Sequence, residues 1–144
     1  MKKGDYSMKL DIYVNYQGVC EQAFQFYEQH LGGRITSMMA FKQLPDTTNV
    51  PEGRENDILH ATIEIGDTIL RGADIPKAEP MRSVYLTLRV YSAEEAERLY
   101  TLLSEGGEIF MPMEETFFAL RFAQLRDRFG TSWMLLCERQ YIEG

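Results

Sequence analysis

The sequence predicts an α+β fold built from two tandem βαβββ modules, covering about residues 8–75 and 82–140. The main observation is a repeated phrase. EQAFQFYEQHLGGRI at residues 21–35 returns as EEAERLYTLLSEGGEI at 94–109, each running from an acid through Ala and, four residues on, Tyr to a Gly-Gly pair and an Ile. Each phrase is also preceded by one short alternating segment and followed by three more, so the element order repeats with it. A unit of roughly 65 residues buries little apolar surface by itself, so the two modules are expected to share one core within a single domain at 8–140.

In the first module LDIYVNY alternates, with Leu10, Ile12, Val14 and Tyr16 on one face and Asp11, Tyr13 and Asn15 on the other, the period of a half-buried strand. The repeated phrase then places Cys20, Ala23, Phe24, Tyr27 and Leu31 at helical spacing. Gly32-Gly33 closes the helix, where a residue in the left-handed region is wanted. RITSMMAFKQL reads as a strand, PDTTNVPEGREND as the longest irregular segment and a candidate mobile flap, and ILHATIEI with TILRGA as a hairpin about Gly66-Asp67.

The second module repeats the order. SVYLTLRV sets Val84, Leu86, Leu88 and Val90 against Tyr85, Thr87 and Arg89. Ser92 and Glu95 form the S-x-x-E pattern of a capping box, opening a helix whose buried stripe is Ala93, Ala96, Leu99, Tyr100 and Leu103. Gly106-Gly107 ends it, and EIFMPM, LRFAQLR and SWMLLCER complete the set, with Gly130 in the last turn.

Composition narrows the function classes. With 22 acidic residues against 15 Lys and Arg, the formal charge of −7 disfavours a phosphate backbone, so no nucleic-acid partner is expected. No apolar run approaches the roughly 18 residues that span a bilayer, so no membrane association is expected. The start, MKKGDYSMKL, lacks the apolar segment of a secretory signal, which makes the cytoplasm the expected compartment. Cys20 on a helix face and Cys137 in a strand read as buried reduced thiols rather than a disulfide or a nucleophile. Phosphate-loop, nucleophile-elbow, H-E-x-x-H and paired C-x-x-C patterns are absent, as is a glycine-rich turn between strand and helix of the kind a dinucleotide or S-adenosylmethionine fold uses.

The tandem βαβββ order resembles the vicinal oxygen chelate superfamily, which includes glyoxalase I and the bleomycin- and fosfomycin-resistance proteins. MPMEETFFALRFAQLRDRFGTSWML at 111–135 is similar to the signature of its PhnB-like branch, and CEQAFQFYEQHLGG and ILHATIEIGDTIL agree. Phe118, Leu120 and Ala123 depart from the residues common in that branch, Trp, Pro and Gly. The resemblance, from about Met8 to Arg139, implies curled mixed sheets forming a cup with the helices outside, the glyoxalase/bleomycin-resistance fold. It also implies a small-molecule ligand and a homodimer.

Metal-dependent members of the superfamily draw ligands from the first and last strands of each module. Carried onto this chain, those positions are Asp11 and Tyr85 in the first strands, and Leu70 (or Arg71, one register step away) and Met134 in the last. Asp11 could bind a divalent ion, Tyr85 is a poor neutral ligand, and Leu70 and Met134 are unsuitable; adding His60 still gives two good donors. No metal site and no cofactor are therefore expected, and the usual Lewis-acid route falls away with them.

Polar residues on inward strand positions need partners or a ligand. The candidate ligand contacts are Asp11, Tyr13, His60, Tyr85, Phe118, Arg121 and Met134, with Thr62 and Thr87 beside them. The catalytic candidates are His60 and Glu115: His60 could act as a base adjusted by Asp11 or Glu115, or be a satisfied strand histidine. Arg121 either clamps an anion in an aromatic-walled cup or pairs with Glu115 or Asp11. Met38, Met39, Met111, Met113 and Met134 with Phe41, Phe110, Phe117 and Trp133 are either core or a polarizable lining. The expected function is binding of a small, partly apolar or anionic molecule; the alternative is a metal-dependent or acid/base lyase or isomerase using His60 with Asp11 or Glu115.

Overall fold

The computed structural model describes residues 8–139. The elements run β1 (Ile12–Tyr16), α1 (Cys20–His30), β2 (Arg34–Ala40), a 3-10 turn at Phe41–Gln43, β3 (Ile58–Ile65), β4 (Thr68–Asp74), β5 (Leu86–Arg89), α2 (Ala93–Ser104), β6 (Glu108–Glu114), β7 (Ala119–Arg126) and β8 (Ser132–Glu138). This is the doubled βαβββ order. The strands form two four-stranded sheets, ordered β1-β4-β3-β2 and β5-β8-β7-β6. The described residues divide into two compact units, one holding 8–15 and 20–74, the other 16–19 and 75–139.

In the first unit α1 buries Cys20, Ala23, Phe24 and Tyr27, spaced i, i+3, i+4 and i+7. The helix lies over β4 closely enough that a Cβ on Gly72 would meet the Phe24 ring at 2.9 Å and the Cys20 sulfur at 3.2 Å. Cross-strand partners share a face, so Ala61 (opposite Gly72) and Ile63 (opposite Leu70) also point toward the helix. His60, Thr62 and Arg71 occupy the opposite, open face. The β3–β4 turn is the two residues Gly66-Asp67, with Ile65 paired to Thr68.

The two glycines that end each helix do different work. Gly32 and Gly106 carry φ of +68° and +72°, the left-handed region that reverses the chain after a helix. Gly33 and Gly107 are fixed by proximity: a Cβ would lie 2.9 Å from the Ile63 side chain in the first case and 2.1 Å from the Arg126 carbonyl in the second. The repeated phrase is therefore a helix stop followed by a backbone-on-strand contact.

In the second unit α2 buries Ala96, Leu99 and Leu103 over β7 and β8. The Ser92 side chain accepts from the Glu95 N–H at 3.1 Å, which is the forward half of the expected capping box; the Glu95 carboxylate binds Arg98 instead of returning to Ser92. β5 pairs with β8 in parallel, and β7 pairs antiparallel with both β8 and β6. Ala123, Leu125, Trp133, Leu135 and Cys137 are buried on the helix side, leaving Phe122, Gln124, Arg126 and Met134 on the open side. β5 is shorter than the 83–90 segment expected, and Val84 lies outside it, 58% exposed. β6 is an edge strand with bulges between Ile109 and Met111 and between Met111 and Glu114.

Candidate functional site

On the open face of the first sheet, Arg71 is the central residue. Its Nε donates to Asp11 Oδ2 at 2.9 Å and its Nη1 donates to Thr62 Oγ1 at 3.2 Å. Two residues along β3 on the same face, roughly 7 Å away by strand geometry, His60 Nε2 shares a hydrogen bond with Ser37 Oγ at 3.3 Å. Tyr13, on the Asp11 side of β1, is more than half exposed. Asp11, Tyr13, His60 and Thr62 thus gather as the alternation of β1 and β3 predicts. Of the two last-strand positions offered, Leu70 faces α1 and is 2% exposed, and its neighbour Arg71 takes the open face.

That placement bears on metal chemistry. The open-face position holds a guanidinium, a cation, and it already engages the carboxylate of Asp11. In the second unit Met134 presents a thioether that receives Thr87 Oγ1 at 3.8 Å, and Tyr85 offers a neutral phenol. Among the described residues no group of three or more His, Cys, Asp or Glu could hold an ion. A hard or borderline divalent cation wants several imidazole or carboxylate donors converging, and these residues do not fit one.

The expected pairing of Arg121 is corrected. It belongs to the helix side of β7, where its Nε donates to Glu97 of α2 at 3.0 Å, and it pairs with neither Glu115 nor Asp11. Glu115 is engaged by Arg139. Phe118 stands edge-to-face against both Phe117 and Phe122, each at 5.2 Å between centroids. The Met and aromatic group divides: Trp133 is core, 2% exposed, while Met39, Phe110, Met111 and Phe117 are exposed. Met134 is on the open face with Thr87.

The segment 45–57, read as a flap, is fastened at its base. Phe41 and Lys42 N–H groups donate to the carbonyls of Asp57 and Glu55. Arg54 donates to Asp57 Oδ2 and to the Asp74 carbonyl, each at 2.9 Å, and lies 4.8 Å over the Phe41 ring.

Two buried carboxylates support these faces. Asp74 accepts from the N–H of Cys20, the first residue of α1, at 3.0 Å and from the N–H of Ile58 at 2.8 Å. Asp127 Oδ1 accepts from the N–H groups of Phe129, Gly130 and Thr131, and its Oδ2 accepts from Trp133 Nε1. Burial, with Asp74 and Glu21 nearby, pushes the Cys20 thiol well above its ordinary range. A thiol held protonated is a poor nucleophile, in keeping with its reading as a buried reduced residue; Cys137 is likewise free and buried.

Residues that the sequence reading passed over include Ser37, Arg82, Ser83, Glu108 and Arg126, the last four lining a cavity with Tyr85 and Phe110. For Arg126 a signal existed, since the alternation of LRFAQLR puts it on the same face as Phe122 and Gln124. For Ser37 none did, because a bulge between Ile35 and Ser37 breaks the alternation of β2.

Two mixed four-stranded sheets, each generated by a βαβββ unit with its helix on one face, define an α+β protein of the glyoxalase/bleomycin-resistance fold. Structures of that fold match it, including the fosfomycin resistance protein FosX of Listeria monocytogenes (TM-score 0.64, 11% identity, 92% of this chain and 94% of that one). A glyoxylase/bleomycin resistance protein/dioxygenase domain from Frankia matches at TM-score 0.63 and 13% identity, covering 92% of this chain and 98% of that one. At these identities the likeness is one of fold.

The family model described as 3-demethylubiquinone-9 3-methyltransferase matches residues 8–136, and the chain belongs to that PhnB-like family. Protein YjdN of Escherichia coli is 29% identical over 143 residues, covering 92% of this chain and 97% of that protein. The crystal structure of protein PA1353 from Pseudomonas aeruginosa aligns at TM-score 0.81 with 36% identity, over 93% of this chain and 100% of that one. A PhnB protein from Bacillus cereus, described as a putative 3-demethylubiquinone-9 3-methyltransferase, aligns at TM-score 0.77 with 22% identity, over 90% and 99% of the two chains.

Proposed function

We propose that this chain is a small-molecule-binding member of the PhnB-like family that recognises a partly apolar anion without a metal ion. The observation that carries the reading is Arg71, held by Asp11 and Thr62 on the open face of the first sheet. Its Nη2 makes no hydrogen bond among the described residues and is left to donate to a carboxylate or phosphonate oxygen. His60 lies beside it on the same face, and Tyr13 supplies an exposed aromatic surface. Fixing Arg71 through two of its nitrogens removes much of the rotamer entropy that binding would otherwise cost.

A thermal-shift panel of small aliphatic carboxylates and alkylphosphonates against chelator-treated protein tests this. Binders should raise the melting temperature of the natural chain and fail to do so in Arg71→Gln. A panel without a binder, or one that Arg71→Gln answers equally, contradicts the reading.

The second reading is acid/base chemistry at His60 with Asp11, as in a lyase or isomerase. It is favoured by the hydrogen bond between His60 and Ser37, which orients the ring and leaves Nδ1 without a partner among the described residues. We also propose a homodimer. The exposed apolar run Ile109, Phe110 and Met111 on the edge strand β6 supports it, since an uncovered apolar edge invites pairing. Sedimentation equilibrium should return the mass of two chains; a monomer at micromolar concentration overturns this.

A further inference from the structure

We infer that the second unit carries a binding site of its own, for a small monoanion joined to a flat apolar body, an aryl carboxylate or aryl phosphonate in chemical class. The site is a cavity of about 270 Å³ lined by Arg82, Ser83, Tyr85, Glu108, Phe110 and Arg126. All six residues belong to the second unit, and the inference does not rest on the function proposed for Arg71.

Its floor is organised before any ligand arrives. Arg126 donates from Nη1 to the Met81 carbonyl at 3.3 Å and from Nη2 to Glu108 at 3.1 Å, with its guanidinium 5.4 Å over the Phe110 ring. Tyr85 packs edge-on with the same Phe110 ring, centroids 6.3 Å apart. Met81 is further pinned by Ser132 Oγ, which donates to its carbonyl, and by its own N–H, which donates to Gly130. Immediately after this anchored residue the chain turns through Ser83 at φ +58°, a left-handed conformation that a non-glycine residue rarely holds. The turn brings Arg82, Ser83 and Tyr85 to one cavity.

Charge and hydrogen-bonding capacity identify the ligand. Glu108 neutralises one of the two arginines, leaving a net single positive charge in the cavity of a chain whose overall charge is −7. Arg82 has no ion pair or hydrogen bond among the described residues, and neither the Ser83 nor the Tyr85 hydroxyl has a hydrogen-bond partner there. Three unused donors beside an aromatic wall suit an oxyanion carried on a flat apolar group. The volume lies at the lower end of ordinary ligand pockets, which limits the occupant to a small metabolite.

The test is titration of benzoate and phenylphosphonate into the full chain, followed by NMR of the Tyr85 and Phe110 rings. Inorganic phosphate and benzyl alcohol are the controls. One or both aryl oxyanions should saturate these signals, about tenfold more weakly in Arg82→Gln. Arg82 is exposed, so its replacement leaves the core intact, and Tyr85→Phe gives a second, conservative variant that should also weaken binding. No saturation by either aryl oxyanion below about 10 mM overturns the proposal, as does unchanged affinity in Arg82→Gln. Phosphate or benzyl alcohol binding as well as the aryl oxyanions overturns the ligand class.

Discussion

Ser83 shows at the scale of one residue how backbone, cavity and sequence are tied together. Its φ of +58° costs about 1–3 kcal/mol and is maintained by the hydrogen bonds that fix Met81 two residues earlier. Replacing it with glycine relieves the strain at some cost in chain entropy, so Ser83→Gly should raise stability by about 1 kcal/mol. Urea denaturation measures it, and a loss of stability would show that the Ser83 side chain holds the turn. Arg71 and Arg121 show what was legible at this scale. Both were visible as arginines in strands, but face depends on register, and a one-residue change exchanges the faces. The lower exposure of Leu70 and the Arg121–Glu97 pair settle what alternation alone left open.

The helices and strands themselves were read closely, and the two helix starts explain why one part was missed. α2 begins with a local cap, Ser92, which any scan for S-x-x-E finds. α1 begins after QGV with no such residue; its first N–H is satisfied by Asp74, 54 residues away and itself buried. A long-range cap has no local sequence signature. It also couples helix to sheet, because the same carboxylate holds the Ile58 N–H at the start of β3. Asp74→Ala should therefore cost about 2–4 kcal/mol by leaving two buried donors unpaired, whereas Ser92→Ala should cost about 1 kcal/mol. Chemical denaturation of the two variants checks the order, and equal losses would mean that Asp74 serves α1 alone. The doubled Gly-Gly was legible as a helix stop, but the close approach of Gly107 to the Arg126 carbonyl was not, since it depends on how α2 returns to β7.

At the scale of the molecule, the repeat predicted two βαβββ units and the resemblance implied curled mixed sheets; the strand order, two sheets of four, and the family match agree with that fold. The residues on the open sheet faces, not the fold, carry the proposal of metal-free recognition. In the first unit a guanidinium stands beside Asp11; in the second a phenol and a thioether stand at the corresponding positions. The sequence exposed the poor ligand set at once. The cavity at Tyr85 and Arg126 stayed hidden because its lining comes from β6, β7 and the turn before β5, three segments unrelated by any local pattern. On the proposed reading Arg71 takes the part of a metal ion in recognising an anion. Isothermal titration of methylphosphonate into chelator-treated protein, repeated after addition of Mn²⁺, tests it most directly. Saturable binding of equal affinity is expected in both titrations, with its loss in Arg71→Gln; binding that appears only after Mn²⁺ is added would overturn the metal-free reading.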